Sequence, residues 1–478
     1  MSNSGADAGG VAVPTIPNLF CSPPPIKDDL ITDSSTLQDD TVDECLPFLT
    51  NSTNIHAHVN AHGIPHLDRA RHVAFLHKQL GKLPPQFMAA DPSRPWFFYW
   101  CLAALAILGE NVEEYRSRLV GTVQPMQNEG GGFAGGFGQM SHLATTYATI
   151  LGLVLVGGEE AYESVDRRAM WRWLSSLKQP DGGFQMAVGG EEDVRGAYCA
   201  AVIISLLNLP LDLAPESPAR AGGHTRLFDG LAEWVRRCQT YEGGVSAKPG
   251  VEAHGAYAFC ALGCLSILDS PTRSFSRYLD VPKLISWLSS RQDAPAAGFS
   301  GRTNKLVDGC YSHWVGGCWP LIEASLNTSQ AAKGGSSPPP PDEQQPTPAA
   351  GRPSAATSTA TSTATLFSRD GLIRYILCCC QDQSKRGGLR DKPSKFSDAY
   401  HTCYVLSGLS SAQHKWNLVT ARSGEGIPDL DEWAASLFCE GEQIFDEEDR
   451  VKPVHPVFVI PQDKADAARQ YFMAKAGF

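Results

Sequence analysis

A carboxylate and a thiol stand two residues apart at Asp308 and Cys310, and an imidazole follows at His401. All three are zinc ligands, and three protein ligands leave one position of a tetrahedral ion open, as catalytic zinc requires. Taken alone, an Asp-x-Cys pair is more often a helix-start carboxylate beside a buried cysteine, and a single histidine is more often a core residue. The three residues therefore predict a zinc site only if the fold brings His401 beside the other two.

Four hydrogen-bond donors occur near Asp308 and in the segment before it: His254, Arg302, Lys305 and Tyr311. Convergent cationic and hydroxyl donors stabilise an anion that departs during a reaction, such as a diphosphate. A solvated basic face is the alternative, and Arg302 and Lys305 alone would satisfy it equally well. The glycine-rich stretch at 130–138 is not a phosphate loop, because no Lys-Ser/Thr pair follows it.

Aromatic residues form a third group. Trp96 and Trp100 follow a helix-start signal at 91–95 and, being four residues apart, share one helix face. Tyr198, Tyr257 and Trp314 head successive apolar stretches. An aromatic stripe is usually core. Here the aromatics recur where a zinc ligand and basic donors are also expected, which suits a cavity for a long apolar tail with an anionic head.

These residues are set in a repeat of glycine turns, each followed by an apolar helical stretch. The turn segments are 127–133, 179–184, 239–245, 292–299 and 385–389. The residues that close them are spaced by 51, 61, 54 and 90 positions, and the last spacing contains a 39-residue low-complexity insert at 327–365. A period near 50 is too long for tetratricopeptide or ankyrin units and suits a helical hairpin with its connections.

The helices within each unit are of two kinds. Stretches such as 144–156, 197–207 and 256–268 are apolar nearly all round, whereas 166–174 and 230–237 are amphipathic. Helices of the first kind are buried on every side, and those of the second kind bury one face. The alternation predicts an all-α fold with two concentric layers, an α/α toroid whose inner helices surround a central cavity.

The domain organisation follows from the repeat. We expect residues 1–60 to be a disordered N-terminal segment, because periodicity is poor there. Residues 61–461 are expected to form one α/α barrel, which the 327–365 insert interrupts as a solvated loop. Residues 462–478 are expected to be a C-terminal tail.

Composition indicates a cytoplasmic globular protein. The chain has 478 residues, 42% of them apolar, and a net charge of −11, which argues against a nucleic-acid partner. Its 14 cysteines lie mostly on apolar helices, which favours free thiols in a reducing compartment. The first basic residue is Lys27, so neither a secretory signal nor a transit peptide is expected, and the longest uncharged apolar run, 95–109, is too short to span a membrane.

Four segments together resemble the protein prenyltransferase β-subunit family, and within it the farnesyltransferase branch: 193–199, 252–255, 308–314 and 391–404. The resemblance runs from about residue 66 to residue 461. It implies an α/α barrel, a heterodimer with a helical-repeat α subunit, one catalytic Zn²⁺, Mg²⁺ with the diphosphate, and farnesyl diphosphate as donor. It also implies that the acceptors are C-terminal Cys-aliphatic-aliphatic-X (CaaX) peptides of proteins such as small GTPases.

The resemblance assigns roles residue by residue. It makes Asp308, Cys310 and His401 the zinc ligands, and it places Asp391 on the magnesium ion. The residues that it assigns to the diphosphate are His254, Arg302, Lys305 and Tyr311. Those that it assigns to the isoprenoid are Arg195, Tyr198, Tyr257, Cys260, Trp314 and Trp96. Those that it assigns to the peptide are Trp96, Trp100, Tyr400, Ser93, His142 and Ala144.

Alternatives differ from this interpretation at specific residues. A geranylgeranyltransferase type I β subunit would share the zinc and basic sets, but it typically carries a small residue at the position of Trp96 and a lysine at that of Asp391. A triterpene cyclase shares the toroid, but the sequence has no Asp-x-Asp-Asp motif. A non-catalytic interaction toroid would not need the three zinc ligands together. The insert, Thr145 in place of a proline and His313 in place of an aromatic depart from the family pattern.

Overall fold

Two layers of helices surround one core, which confirms the predicted α/α toroid. The computed structural model describes residues 29–52, 55–333, 366–419, 432–438, 443–475 and 478. Its helices are α1 (Asp33–Thr50), α2 (Arg69–Gln79), α3 (Arg94–Ile107), α4 (Arg116–Val123), α5 (Leu143–Val156), α6 (Glu159–Glu163), α7 (Arg167–Leu177), α8 (Val194–Leu206), α9 (Leu231–Arg237), α10 (Gly255–Leu268), α11 (Pro271–Tyr278), α12 (Val281–Ser289), α13 (Tyr311–Trp314), α14 (Cys318–Lys333), α15 (Arg369–Arg374), α16 (Ala399–Gln413) and α17 (Gln462–Ala474).

Six helices of the described chain form the inner layer, and each packs against the next until the ring closes. The order of contacts is α3, α5, α8, α10, α13, α16 and back to α3. The inner α5 is buried along nearly its whole length, whereas α7 in the outer layer buries only one face. Burial all round therefore marks the inner layer, as the apolar stretches of the sequence predicted.

All five predicted glycine turns lie within the described residues, and an antiparallel bridge closes each of them. The bridged pairs are Gln127–Phe133, Lys178–Phe184, Gln239–Val245, Gln292–Phe299 and Gln381–Leu389. A glycine of each turn lies against one aromatic side chain, so closely that a Cβ atom there would come within 3.0 Å of it. These side chains, which we name the turn aromatics, are Trp173, Trp234, Trp287, Tyr375 and Phe75.

The turn aromatics show why the sequence needs glycine at these places. A Cβ atom at Gly244 would lie 2.6 Å from the ring of Trp287, and one at Gly388 would lie 2.8 Å from the ring of Phe75. Contact at that distance is repulsive, so any larger residue would push the two layers apart. Because Phe75 lies on α2 and Gly388 in the last turn, this contact joins the beginning of the repeat to its end.

The structure corrects the prediction for residues 1–60 in part. Residues 1–28 and 53–54 lie outside the described residues, but residues 33–50 form the helix α1 rather than a disordered segment. Thr32 and Ser35 cap this helix reciprocally. Its residue Cys45 is fully buried, and the Cys45 carbonyl accepts a hydrogen bond from the Cys379 thiol at 3.8 Å. Tertiary packing thus holds a segment whose sequence periodicity is weak.

Two other segments differ from a purely α-helical barrel with a loose tail. An antiparallel pair of strands, β1 (His414–Val419) and β2 (Glu432–Leu437), follows α16, with His414 opposite Leu437. The predicted C-terminal tail contains α17, which packs against α5 and α8. Within the insert, α14 continues to Lys333, and residues 334–365 lie outside the described residues.

The segment at 451–461 closes the interior beside the C-terminal ends of the inner helices. The Lys452 backbone N–H donates to the carbonyl of Ile107, the last residue of α3, at 3.0 Å. Within the ring, the Tyr198 hydroxyl donates to the Val457 carbonyl at 2.6 Å, and the Tyr99 hydroxyl donates to the Val459 carbonyl at 3.0 Å. The N-terminal ends of the inner helices therefore lie at the opposite face of the ring. No helix among the described residues is long and apolar enough to cross a membrane.

Candidate zinc and prenyl-binding site

One position of the repeat supplies the residues that begin the inner helices. It lies nine residues after each turn-closing residue and is occupied by His142, Asp193, His254, Asp308 and Asp398. Each of these side chains accepts a backbone N–H two or three residues further on, as an N-cap residue does. Four of them are the N-cap residues of their helices, whereas Asp308 stands two residues before Cys310, the N-cap of α13. We call this the capping position in every unit. A polar side chain therefore stands at this position in all five units, and helix capping alone is enough to explain it.

Asp308 at this position meets Cys310 and His401, and the three potential ligand atoms all lie within 4.8 Å of one another. The Asp308 Oδ1 atom is 3.1 Å from the His401 Nε2 atom. His401 comes from α16, one unit later, whereas Asp308 and Cys310 precede α13. The structure thus brings together the three residues that the sequence could only suggest separately.

Asp398 fixes the orientation of His401. Its Oδ2 atom lies 2.7 Å from the His401 Nδ1 atom, which leaves Nε2 directed at Asp308 and Cys310. A carboxylate on the far nitrogen is the usual partner of a histidine that binds metal, because it fixes the tautomer and increases the basicity of the ligating nitrogen. Burial opposes a charge on His401, but the bonds to Asp308 and Asp398 outweigh it and raise the pKa to about 10.

The donor set fits zinc. One sulfur, one nitrogen and one carboxylate oxygen converge, and three ligands leave a fourth tetrahedral position for a substrate atom. Burial and the neighbouring Asp308 raise the pKa of the Cys310 thiol well above its ordinary value. A cation bound between these groups would remove that penalty, since zinc deprotonates the thiol that coordinates it.

Asp391 has a different partner from the one that the resemblance implies. Both of its carboxylate oxygens contact the Lys392 ammonium group, at 2.6 and 2.7 Å, and both side chains are largely buried. Mg²⁺ is usually held by one or two carboxylates together with substrate phosphates, so a role for Asp391 in binding magnesium stays a prediction.

Three of the predicted diphosphate residues lie together beside Cys310: the ring of Tyr311 packs on that of His254, and the charge of Arg302 acts on both. We call these three residues and Lys305 the rim. The His254 Nδ1 atom accepts the Ala256 backbone N–H at 3.1 Å, so Nε2 carries the proton in the neutral ring, and this Nε2 lies 3.1 Å from the Tyr311 hydroxyl. Burial, and then the charge of Arg302, lower the pKa of His254 to about 4. Arg302 itself pairs with Glu252 at 3.0 Å, and Lys305 is exposed. In the rim, the half-buried His254 and Tyr311 are therefore neutral hydrogen-bond donors, and the more exposed Arg302 and Lys305 are cations.

Inside the ring of inner helices, eight aromatic rings of the described residues form a closed circuit of contacts, with neighbouring centroids 4.5 to 6.0 Å apart. Taken in order around the circuit, they are Trp96, Tyr147, Tyr198, Phe259, Trp314, Tyr404, Tyr400 and Trp100. These are favourable distances for aromatic pairs. All six inner helices contribute, so the circuit runs around the whole inside of the helical ring.

The zinc ligands and the aromatic circuit touch at Tyr400. Its hydroxyl accepts a hydrogen bond from the Trp314 indole N–H at 3.0 Å. The same hydroxyl bonds to the Cys310 thiol and opposes the effect of burial on the pKa of that thiol. Tyr400 therefore stands at the boundary between the polar head of the cavity and its apolar interior.

Comparisons with known proteins decide the family. A family model described as "Prenyltransferase alpha-alpha toroid domain" matches residues 67–460. The protein farnesyltransferase subunit beta of Pyricularia oryzae is 58% identical over 466 residues, which cover 97% of this chain and 85% of the relative. The corresponding subunit of Schizosaccharomyces pombe is 34% identical, with coverage of 94% and 98%. The chain belongs to the family of protein farnesyltransferase β subunits.

Geranylgeranyl-transferring proteins are more distant. The geranylgeranyl transferase type-1 subunit beta of Arabidopsis thaliana is 25% identical, over 72% of this chain and 84% of the relative. A solved structure described as "Candida albicans protein geranylgeranyltransferase-I complexed with GGPP" superposes with a TM-score of 0.59 at 19% identity, covering 86% of this chain and all of that one. At that identity the superposition supports the fold alone.

The farnesyltransferase-family assignments for the isoprenoid fall on neighbouring helices. Tyr198 and Trp314 lie in the aromatic circuit, and Tyr257 packs on the ring of His254 at 5.1 Å. Arg195 pairs with Asp193, which is the main reason that the pKa of this guanidinium is raised. Cys260, buried on α10, adds to that effect with Tyr257.

The residues that the resemblance assigns to the peptide lie at or near the beginnings of α3, α5 and α16. Trp96 stacks on Trp100, with ring centroids 5.5 Å apart. Ser93 precedes α3, whereas His142 and Ala144 head the adjacent α5. His142 has the same ring orientation as the repeat-related His254, with Nδ1 on a backbone N–H, so its Nε2–H is free of the backbone and points away from it.

The repeat register reveals three residues that the sequence analysis missed. Tyr147, Tyr198 and Phe259 each follow the capping residue of their unit by five positions, and Trp314 and Tyr404 each follow theirs by six. Aligning the units on the capping position would have identified Tyr147, Phe259 and Tyr404. By contrast, Tyr198, Tyr257 and Trp314, which the sequence analysis treated as equivalent, stand at three different registers.

The two substitutions that depart from the family pattern are both buried. His313 stacks on Tyr404 at 5.1 Å, its Nδ1 lies 3.0 Å from the Ser407 hydroxyl, and burial lowers its pKa to about 3. Thr145 donates to the Phe133 carbonyl at 2.8 Å. Both side chains are thus accommodated by local hydrogen bonds and a neutral imidazole.

Proposed function

We propose that this chain is the catalytic β subunit of a zinc-dependent protein farnesyltransferase. The enzyme would transfer the farnesyl group of farnesyl diphosphate to the cysteine thiol of a C-terminal CaaX motif, in a heterodimer with an α subunit. The observation that carries the proposal is the meeting of Asp308, Cys310 and His401 at the mouth of an aromatic-walled cavity. A triterpene cyclase or a non-catalytic toroid would not require these three groups to converge. A type I geranylgeranyltransferase would share them, and against it stands the much higher identity to farnesyltransferase β subunits, 58% against 25%.

The protein's own groups prepare the nucleophile. When bound to Asp308, Cys310 and His401, zinc would lower the pKa of a substrate thiol at the open position, so that the thiolate exists at neutral pH. Asp398 holds the His401 ring so that Nε2 faces this position. The thiol proton passes to solvent, and the sulfur is left close to the head of the cavity.

The rim residues assist the leaving group. In the transfer, a bond forms between sulfur and C1 of the isoprenoid, while the C1–O bond breaks and the diphosphate departs with the electron pair. Arg302 and Lys305 supply fixed positive charge, and neutral His254 and Tyr311 supply hydrogen-bond donors to the oxygens that become more negative. Asp391 would hold Mg²⁺ on the departing diphosphate, where the ion would neutralise part of its charge.

The aromatic circuit holds the hydrocarbon. Its rings exclude water from the chain and give it a surface of limited length, with Trp96 and Tyr198 in adjoining parts of the wall. Burial of one isoprene unit contributes several CH₂ equivalents at about 0.8 kcal/mol each. The wall therefore supports both tight binding of a fifteen-carbon chain and discrimination against a longer one.

The test is metal analysis combined with a paired turnover assay. The chain is co-expressed with an α subunit, and the purified heterodimer is assayed for zinc and for transfer from farnesyl and geranylgeranyl diphosphates to one CaaX peptide. We expect about one zinc per heterodimer and preferential farnesyl transfer. Absence of zinc would overturn the proposal, and preferential geranylgeranyl transfer would support the type I geranylgeranyltransferase instead.

A further inference from the structure

One backbone hydrogen bond recurs between neighbouring units of the described ring. The donor is the backbone N–H of the residue that follows a capping residue. The acceptor is a carbonyl in the next unit, two positions after the residue that closes the turn of that unit. The bonds are Leu143 to Met186 at 2.7 Å, Val194 to Ala247 at 2.8 Å, Gly255 to Gly301 at 2.9 Å and Gly309 to Asp391 at 2.9 Å. Each ties the head of one inner helix to the unit that follows.

The last of these junctions differs from the others because proposed zinc ligands lie on both sides of it. Gly309 stands between Asp308 and Cys310. The chain that leaves Asp391 leads to Asp398 and His401. A Cβ atom at residue 309 would lie 2.6 Å from the Arg390 carbonyl oxygen, so the two segments are in close contact here. The junction therefore ties the segment that carries Asp308 and Cys310 to the segment that leads to His401.

The junction also has additional donors. The Tyr375 hydroxyl donates to the Asp391 carbonyl at 2.9 Å, and the Cys380 thiol approaches the same oxygen at 3.7 Å. In the described part of the chain, the equivalent carbonyl groups of Met186, Ala247 and Gly301 accept only the backbone N–H. Tyr375 and Cys380 are the first and last residues of a π-helical turn, and its wider i to i+5 spacing brings both side chains to one side.

Tyr375 is one of the turn aromatics, so the repeat supplies its own control. The same place beside a turn glycine is filled by tryptophan in three units and by Phe75 in the closing unit, and a tyrosine stands there only at the junction between the proposed zinc ligands. Packing on the glycine therefore needs an aromatic ring but not a hydroxyl. The Phe75 example indicates that a phenylalanine is compatible with this packing.

We propose that Tyr375 is a positioning residue for the zinc centre, an inference that rests on the proposed function. Its hydroxyl fixes the Asp391 carbonyl, which in turn holds the Gly309 N–H and with it the two flanking ligands. Tyr375 is fully buried, and its hydroxyl reaches the zinc ligands only through the Asp391 carbonyl. Its role is to keep the Asp308–Cys310 segment in register with the segment that carries His401.

The test compares Tyr375→Phe with Tyr99→Phe in the heterodimer with the α subunit. Tyr99 is equally buried, and its hydroxyl donates to the Val459 carbonyl at 3.0 Å, away from the zinc ligands. Zinc affinity is measured by competition with a chelator, and ligand geometry by the visible absorption of the Co²⁺-substituted protein. We expect Tyr375→Phe to bind zinc about tenfold more weakly and to shift the Co²⁺ bands, as removal of outer hydrogen bonds to metal sites does.

The control separates positioning from stability. Both variants lose one buried hydroxyl-to-carbonyl bond, so we expect similar decreases in the unfolding temperature, with zinc affinity unchanged only in Tyr99→Phe. Equal zinc affinity and identical Co²⁺ spectra for Tyr375→Phe and the parent protein would overturn the positioning role while leaving the proposed function intact. A parent heterodimer that binds no zinc would instead overturn the proposed function.

Discussion

Asp193 and Asp308 occupy the same position of the repeat, yet they do different work. Each accepts a backbone N–H two residues on at 2.8 Å. Both carboxylate oxygens of Asp193 also accept hydrogen bonds from the Arg195 side chain, and Asp193 is almost fully buried. Asp308 is more exposed, and its Oδ1 atom faces His401 from the next unit. Both units carry an aspartate at the same position. The residue two positions later, Arg195 or Cys310, determines whether the carboxylate is paired with a guanidinium group or is left to face His401.

Removal of a metal ligand should have the largest effect. We expect Cys310→Ala or His401→Ala to lose zinc and to reduce farnesyl transfer to background, because a three-ligand site with one open position cannot spare a ligand. Elemental analysis and turnover assays measure both losses, and circular dichroism should show a largely unchanged fold. Full zinc occupancy in both variants would mean that the metal is held elsewhere.

Shortening of the aromatic wall should change the choice of isoprenoid. Trp96→Thr combined with Tyr198→Thr removes two rings that bracket Tyr147 in the circuit and opens volume that close-packed interiors do not otherwise yield. We expect the ratio of kcat/KM for geranylgeranyl over farnesyl diphosphate to rise by about tenfold or more, within the range that small changes in hydrophobic pockets produce. If the ratio is unchanged and the variant still binds zinc, these two rings do not determine which isoprenoid length is accepted.

For Asp193, we predict that substitution lowers the stability of the protein without loss of zinc. Asp193→Ala removes the cap of α8 and leaves Arg195 without its carboxylate, which should lower the free energy of unfolding by about 1 kcal/mol. Zinc content should stay at the parent value, because Asp193 is not among the proposed ligands. Denaturant unfolding and elemental analysis on the same preparation check the pair of outcomes. Loss of zinc would place Asp193 in the metal site after all.

The insert should matter least. Its composition cannot bury enough apolar surface to fold by itself, and the free-energy cost of loop closure changes by only about 0.6 kcal/mol per doubling of length. We expect replacement of 327–365 by a short Gly/Ser linker to leave turnover within a few-fold, and a linker that starts after Lys333 to preserve α14 fully. Failure of soluble expression or of heterodimer formation with either linker would indicate a docking role for the insert.

The sequence predicts those features that depend on periodicity. Turn spacing located the units, and burial all round an inner helix follows from its composition. The meeting of Asp308 and Cys310 with His401 was predictable only because the repeat places the heads of α13 and α16 side by side. Tyr147 was within reach of the same register argument but was missed, because aromatics were chosen where an apolar stretch begins rather than at a fixed distance from each turn.

Other features depend on tertiary contacts that no local pattern encodes. The ion pair between Asp391 and Lys392 joins adjacent residues, and only the burial of both side chains makes it significant. The helix α1 has little apolar periodicity, and its fixed position depends on contacts such as that of Cys45 with a segment more than 300 residues away. Sequence alone assigned this segment to disorder for that reason.

Closure of the ring determines when the protein can finish folding. Phe75 packs on Gly388, and His72 bonds both to Gln381 and to the Gly388 N–H, so residues more than 300 positions apart must meet. Contacts of such sequence separation slow folding, and incomplete forms expose apolar surface meanwhile. On a ribosome, the early inner helices must wait for the last unit and for the 451–461 segment. During synthesis this chain therefore remains an open arc of apolar helices until nearly all of it has emerged.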